Sequence, residues 1–282
     1  MKQINSIFQG IKERDEKAII PFIAMGNKSL LESIEIAETI EKAGASILEL
    51  GIPYSDPIVH EAVIQEAYHN ALLAGVKFKD CLQTIDEITS KISIPVVVSA
   101  YYNLIYCKGI RYFVEEINKV NVSGIIVPDI PLEEREELFN ECKEHNIALI
   151  PIIAITSKER IKKITEGANG FINCLYQLSN EKNAVEKLEA YLKEVRSYTE
   201  MPICLDLNPL VRENNYKFNQ YYEGIRITSE IVKIINSEKC FTLRQQEVAD
   251  FISKIKAENK AVIQQAITSL NGVCGTLSKY KY

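Results

Sequence analysis

No two cysteines stand in a CxxC spacing. The seven are scattered, the nearest pair being Cys81 and Cys107, and their number is odd. This excludes a disulfide framework and a zinc ribbon and predicts reduced, mostly buried thiols in a cytoplasmic protein. GxGxxG and GxxxxGK[ST] are absent as well, which removes the dinucleotide and P-loop classes. No uncharged apolar run approaches the length of a membrane span, and the opening MKQINSIFQGIKERDEK has no apolar core for export. Histidine is scarce, with three in the chain, and His60 and His69 are poorly spaced for a metal pair. No metal or cofactor is therefore expected. Basic residues are not in surplus either. The net charge of −5 argues against a nucleic-acid backbone as the main partner.

What is present suits one large domain. The 282 residues are 46% hydrophobic, enough for a full core, and show no linker or low-complexity stretch. After an amphipathic segment with Ile4, Ile7, Phe8 and Ile11 at helical spacing, short apolar runs alternate with helical patterns. The runs begin at Ala18, Ser46, Ile94, Gly124, Ala148, Gly170, Pro202 and Gly224. They are continuous Ile/Val/Leu strands, as expected when both faces of a parallel sheet are covered. Eight such units predict an α/β (β/α)8 TIM barrel over about residues 18–236, with a helical extension over about 237–282. The helix from Ser29 should bury Leu31, Ile34, Ile36, Ala37 and Ile40 and stop at Gly44, and Ser157 should cap another. Residues 208–223 are poor in helix formers and predict a short or irregular helix. The tail Lys279–Tyr282 is expected to fray.

The chain is organised around ILELGIPYSDPIVHEAVIQ, residues 47–65. Period-two alternation places Ile47, Glu49 and Gly51 on one strand face and Leu48 and Leu50 on the other. If the first set faces the barrel interior, Glu49 is a buried acid near a strand's C-terminal end, where active sites of this fold form. Without a partner it should be held neutral, as a general acid.

The block LELGIPYSDP closely resembles the signature of the tryptophan synthase α chain family. Further matches are Pro21-Phe22, Tyr101 with Asn103-Leu104, Val127-Pro128-Asp129-Ile130-Pro131, and Ile231-Val232-Lys233-Ile234-Ile235. The resemblance implies a barrel lyase that cleaves indole-3-glycerol phosphate to indole and glyceraldehyde 3-phosphate in tryptophan biosynthesis. It also implies docking on a β chain in an α2β2 complex. Glu49 matches the family's proton-donating glutamate, Tyr101 an active-site tyrosine, and Phe22 an apolar substrate contact. Pro53, Tyr54, Asp56, Pro57, Asn103, Asp129 and Pro131 match the loops that meet the β chain.

Elsewhere the family's chemistry is replaced. Its second acid, in an Asp-Gly-Pro loop, corresponds to His60-Glu61-Ala62, so that His60 is the substitute base. Asn173 stands where the family has a strand-six tyrosine. The glycines that let backbone N–H groups cradle phosphate are missing: the chain reads Gln177–Asn183, then Leu207-Asn208-Pro209, then Thr228-Ser229-Glu230. Ser229 is kept, and Lys182 with Arg226 could rebuild a phosphate site. Against that, Glu181, Asp206 and Glu230 bring carboxylates, each opposing a phosphate by roughly 3 kcal/mol at about 5 Å and an effective dielectric near 20. Three readings follow: an α-chain homologue with weakened or lost catalysis that serves a β-type chain, a working lyase, or a barrel turned to another, unphosphorylated substrate.

Overall fold

The computed structural model describes residues 2–176 and 183–277. Nine parallel strands lie in the order β5-β4-β3-β2-β1-β9-β8-β7-β6. They are β1 (Ala18–Ala24), β2 (Leu48–Gly51), β3 (Val96–Ser99), β4 (Gly124–Ile126), β5 (Ala148–Ile150), β6 (Ile152–Ala154), β7 (Ile172–Leu175), β8 (Ile203–Asp206) and β9 (Gly224–Ile227). The two ends of this order, β5 and β6, are consecutive halves of one run of chain. The sheet therefore closes on itself as a (β/α)8 barrel. The count is nine rather than the expected eight because Pro151 divides the fifth strand. Proline has no N–H for the ladder; β5 pairs with β4, and β6 with β7.

The helices are α1 (Lys2–Glu13), α2 (Leu30–Lys42), α3 (Ala62–Leu73), α4 (Phe78–Lys91), α5 (Tyr102–Lys108), α6 (Ile110–Lys119), α7 (Glu136–Glu144), α8 (Ile161–Thr165), α9 (Ala184–Tyr198), α10 (Pro209–Glu213), α11 (Asn215–Phe218), α12 (Ser229–Asn236) and α13 (Phe241–Leu277). Ser29 caps α2, its Oγ accepting from the Glu32 N–H at 3.0 Å, and Gly44 ends the turn at φ +93°. One expected core contact fails: Leu31 is 62% exposed, because Ile34, Ile36, Ala37 and Ile40 fill the buried stripe without it. Ser157 accepts from the Ala154 N–H instead of capping a helix, and short 3-10 geometry precedes α8. The weak helix formers of 208–223 yield the short α10 and α11, with Asn208 capping the first. The tail Lys279–Tyr282 lies outside the described residues, among which no helix is long and apolar enough to cross a membrane.

The helix α1 plugs the N-terminal end of the barrel. Ile4, Phe8 and Ile11 join Ala18, Ile20, Ile47, Val97, Ile126, Ala148, Ile150, Phe171 and Cys204 in one interior cluster. Leu48, Leu50, Val96, Val98, Ile172 and Cys174 belong to the outer layer beneath the helices. The alternation read from the sequence thus sets Glu49 inside, with Ile47 below it. α13 runs along α2, tied by Arg244 to Glu32 at 2.7 Å.

Candidate active site at the barrel mouth

Glu49 is fully buried near the end of β2, but it is not alone there. The guanidinium of Arg226, on β9 and 5% exposed, donates through Nε to Glu49 Oε2 at 2.8 Å and through Nη2 to Oε1 at 2.9 Å. The remaining terminal nitrogen, Nη1, donates to Asp206 Oδ1 at the end of β8. Asp206 and Arg226 are register partners on adjacent strands, so the clasp is prepared by the sheet itself. This corrects two expectations. Glu49 is not an unpartnered acid, because one guanidinium donates to both of its oxygens. Arg226 is not free for phosphate, because all three guanidinium nitrogens already face carboxylates. Lys182, the other proposed phosphate ligand, and Glu181 lie outside the described residues.

Asp206 keeps a quarter of its side chain exposed. Its carboxyl is pushed above the usual range, first by burial and then by the Glu49 charge, with Arg226 pulling the other way. Burial opposes the guanidinium's charge, but Asp206 and Glu49 together outweigh it and hold Arg226 more firmly protonated than water would.

His60 sits in the loop after β2, folded inward rather than solvated. Its ring stacks on Phe22 at 6.1 Å between centroids, meets Tyr68 edge-on at 5.7 Å, and lies 5.5 Å from Tyr101. Its Nδ1 is 2.7 Å from the Tyr101 hydroxyl, which also accepts from the Val59 N–H at 3.3 Å. Burial, helped by the nearby Arg226 charge, lowers the imidazole to about 4. It is neutral at pH 7, so it can accept a proton, but it holds one weakly. Gly51 permits this arrangement: a Cβ there would collide with the Tyr68 hydroxyl and the Phe22 ring. Burial raises the Tyr101 hydroxyl to about 12.

Asn173 stands on β7 opposite Cys204 and Ile152, two residues after Phe171, which places it inside the barrel. It is 1% exposed, and among the described residues neither end of its amide has a hydrogen-bond partner. Ser229, at the start of α12, is 2% exposed, its Oγ likewise without a partner among the described residues.

The expected docking loops converge beside this mouth. Tyr54 stacks on Tyr101 with centroids 4.7 Å apart and accepts from Asn103 Nδ2 at 3.1 Å. Asp129 accepts from the Tyr102 N–H at 2.7 Å. Pro53 and Pro57 are buried and shape the loop, while Asp56 and Pro131 are exposed. Sequence reasoning missed Ile58, which is 74% exposed next to Val59. Its signal was an apolar pair between two turn residues, Pro57 and His60.

The sequence profile of the family described as tryptophan synthase alpha chain matches residues 8–264. The tryptophan synthase alpha chain of Thermoanaerobacter sp. (strain X514) is 37% identical over 259 residues, covering 91% of this chain and 99% of that relative. That of Clostridium beijerinckii is 36% identical, covering 90% and 98%. Among solved structures, a chain from Aquifex aeolicus VF5 superposes with a TM-score of 0.83 at 27% identity, covering 91% of this chain and 99% of that one. Tryptophan synthase from M. tuberculosis, in its aminoacrylate-bound form, gives 0.80 at 21% identity and coverages of 91% and 99%, a likeness of fold.

Proposed function

This chain belongs to the tryptophan synthase alpha chain family, and on that premise we propose that it is a member with impaired lyase activity that serves chiefly as partner or regulator of a β-type chain. The observation that carries the reading is the clasp of Arg226 on Glu49. A general acid must bring its proton to the substrate through one of its oxygens. Both oxygens of Glu49 instead accept from one guanidinium. Opening a buried pair of this kind costs about 3–5 kcal/mol, which corresponds to roughly two to four powers of ten in rate.

The second acid is weakened in parallel. His60 brings no negative charge to a developing indole cation, and its low basicity gives little drive for taking the indole proton. The partner role is supported by Tyr54, Asn103 and Asp129, which still hold one another's loops in place. Exposed Ile58 and Val59 give such a surface apolar area to bury.

The test is indole release from indole-3-glycerol phosphate, with and without a β chain, alongside complex formation by calorimetry. The expected result is a complex at micromolar concentration and a lyase rate at least about a hundredfold below that of a Thermoanaerobacter relative. A family-like rate abolished by Glu49→Gln would overturn the impairment, and absence of any complex would overturn the partner role. A working lyase is the second reading, favoured by one observation: Phe22 and Glu49 remain register partners on β1 and β2 at the mouth.

A further inference from the structure

The interior of the barrel carries an arc of side chains on neighbouring strands: Asn173 on β7, Asp206 on β8, Arg226 on β9 and Glu49 on β2. Asp206 lies two residues beyond Cys204 and therefore on the same inner face as Asn173, one pleat nearer the mouth. The charge of Arg226 is used up within the arc. Two carboxylates against one guanidinium leave a formal charge of −1, and Glu61 stands close enough to act on Asp206 as well. A phosphate dianion meets repulsion here.

The unpartnered groups point to a different ligand. One oxygen of Asp206 faces Arg226, and the other has no partner among the described residues. Asn173 holds a buried carbonyl oxygen and a buried NH2 group, neither of them hydrogen-bonded among the described residues. Buried amides are seldom left so, because each unmet group costs about 1–3 kcal/mol. A primary ammonium matches the two acceptors of this set, the Asp206 oxygen and Asn173 Oδ1. It offers several N–H donors, to the free Asp206 oxygen and to Asn173 Oδ1, and a positive charge for a net negative site. The rings of Phe22, His60, Tyr68 and Tyr101 pack together on the β1–β2 side of the mouth, where Phe22 is the register partner of Glu49. We propose that the barrel mouth binds a small aromatic amine through its ammonium group, with Asp206 as counter-ion and Asn173 as acceptor. The amine is an effector of the subunit, which rests on the reading of the chain as a partner rather than a lyase.

Three probes on one indole frame separate the possibilities by calorimetry at neutral pH: tryptamine, the neutral tryptophol, and the phosphate monoester of tryptophol. Tryptamine is expected to bind at least about tenfold more tightly than tryptophol, with the phosphate ester weakest. Asp206→Asn should weaken tryptamine about ten- to a hundredfold and leave tryptophol unchanged. Asn173→Leu, which keeps the branching but removes both polar atoms, should also weaken tryptamine, and it decides the matter if the Asp206 variant fails to fold by circular dichroism. Tightest binding by the phosphate ester, equal affinity for amine and alcohol, no measurable tryptamine binding, or a preference that survives in the folded variants would each overturn the inference. Complex formation with the β chain is scored on the same samples. Loss of amine binding with an intact complex refutes this inference alone, and loss of the complex with intact amine binding refutes the partner reading alone.

Discussion

Replacing Arg226 with methionine removes the guanidinium while keeping most of its stem. Glu49, fully buried, is then left without a counter-charge, and Asp206 faces it with nothing between them. Truncating one partner of a buried pair costs about 3–5 kcal/mol, a large share of the roughly 5–15 kcal/mol that holds a folded chain. For a chain of this size that corresponds to a drop in Tm of about 10 °C. Urea denaturation at neutral pH, followed by circular dichroism, measures it as a lower midpoint at unchanged slope. The double variant Arg226→Met/Glu49→Gln should recover at least about half of the loss, because the orphaned charge has gone too. A single variant that loses less than about 1 kcal/mol, or a double variant that loses more than the single, would refute the claim that the clasp is a desolvated ion pair.

His60 is expected to make the fold acid-sensitive. The unfolded chain takes up this proton near 6.5 and the folded one only near about 4, so stability is whole above 6.5 and declines as pH falls through that window, by about 3 kcal/mol. His60→Phe should flatten the decline in an acid titration of the urea midpoint, and an unchanged slope would show that the ring is solvated. Asn173→Leu should stabilise the ligand-free protein by about 1 kcal/mol or leave it unchanged, since it removes two unmet polar groups from the interior. A fall in melting temperature would show that the amide is satisfied. Gly51→Ala should cost about 1–3 kcal/mol through its collision with Tyr68 and Phe22, read from the same melts, and a neutral effect would mean that the rings move aside freely.

Much of this was legible in the chain. The alternation of Ile47, Glu49 and Gly51 against Leu48 and Leu50 separated two strand faces, and the structure makes the face of Glu49 the barrel interior. The continuous apolar runs led to the barrel, because both faces of a parallel sheet are covered. The partner of Glu49 was not legible, since Arg226 lies 177 positions away and only the closure of the sheet brings them together. A signal existed nonetheless. GIRI and ICLD are apolar strands, each with one charge, and as neighbours in a parallel sheet they set Arg226 beside Asp206. Reading Arg226 as a phosphate ligand took no account of Glu49, which closure of the sheet brings against it. The setting of His60 was not legible either, because Tyr68 of α3 and Tyr101 before α5 supply a slot that local sequence does not reveal.

Pro151 makes the barrel a ring with a seam. The strands on either side of it belong to two arcs, β1–β5 and β6–β9, joined at one edge by the pairing of β1 with β9 and at the other by the chain itself. Pro151 itself is held to the second arc, its carbonyl accepting from the Asn173 N–H of β7 at 2.9 Å. The piece that spans both arcs from below is α1, whose Ile4 touches the neighbourhoods of Gly124 and Gly170 on opposite sides of the split. The helix therefore sits as a keystone: without it amide exchange should accelerate first along β5 and β6, each paired on one flank, while β1, β2 and β9, zipped on both flanks, stay protected longest.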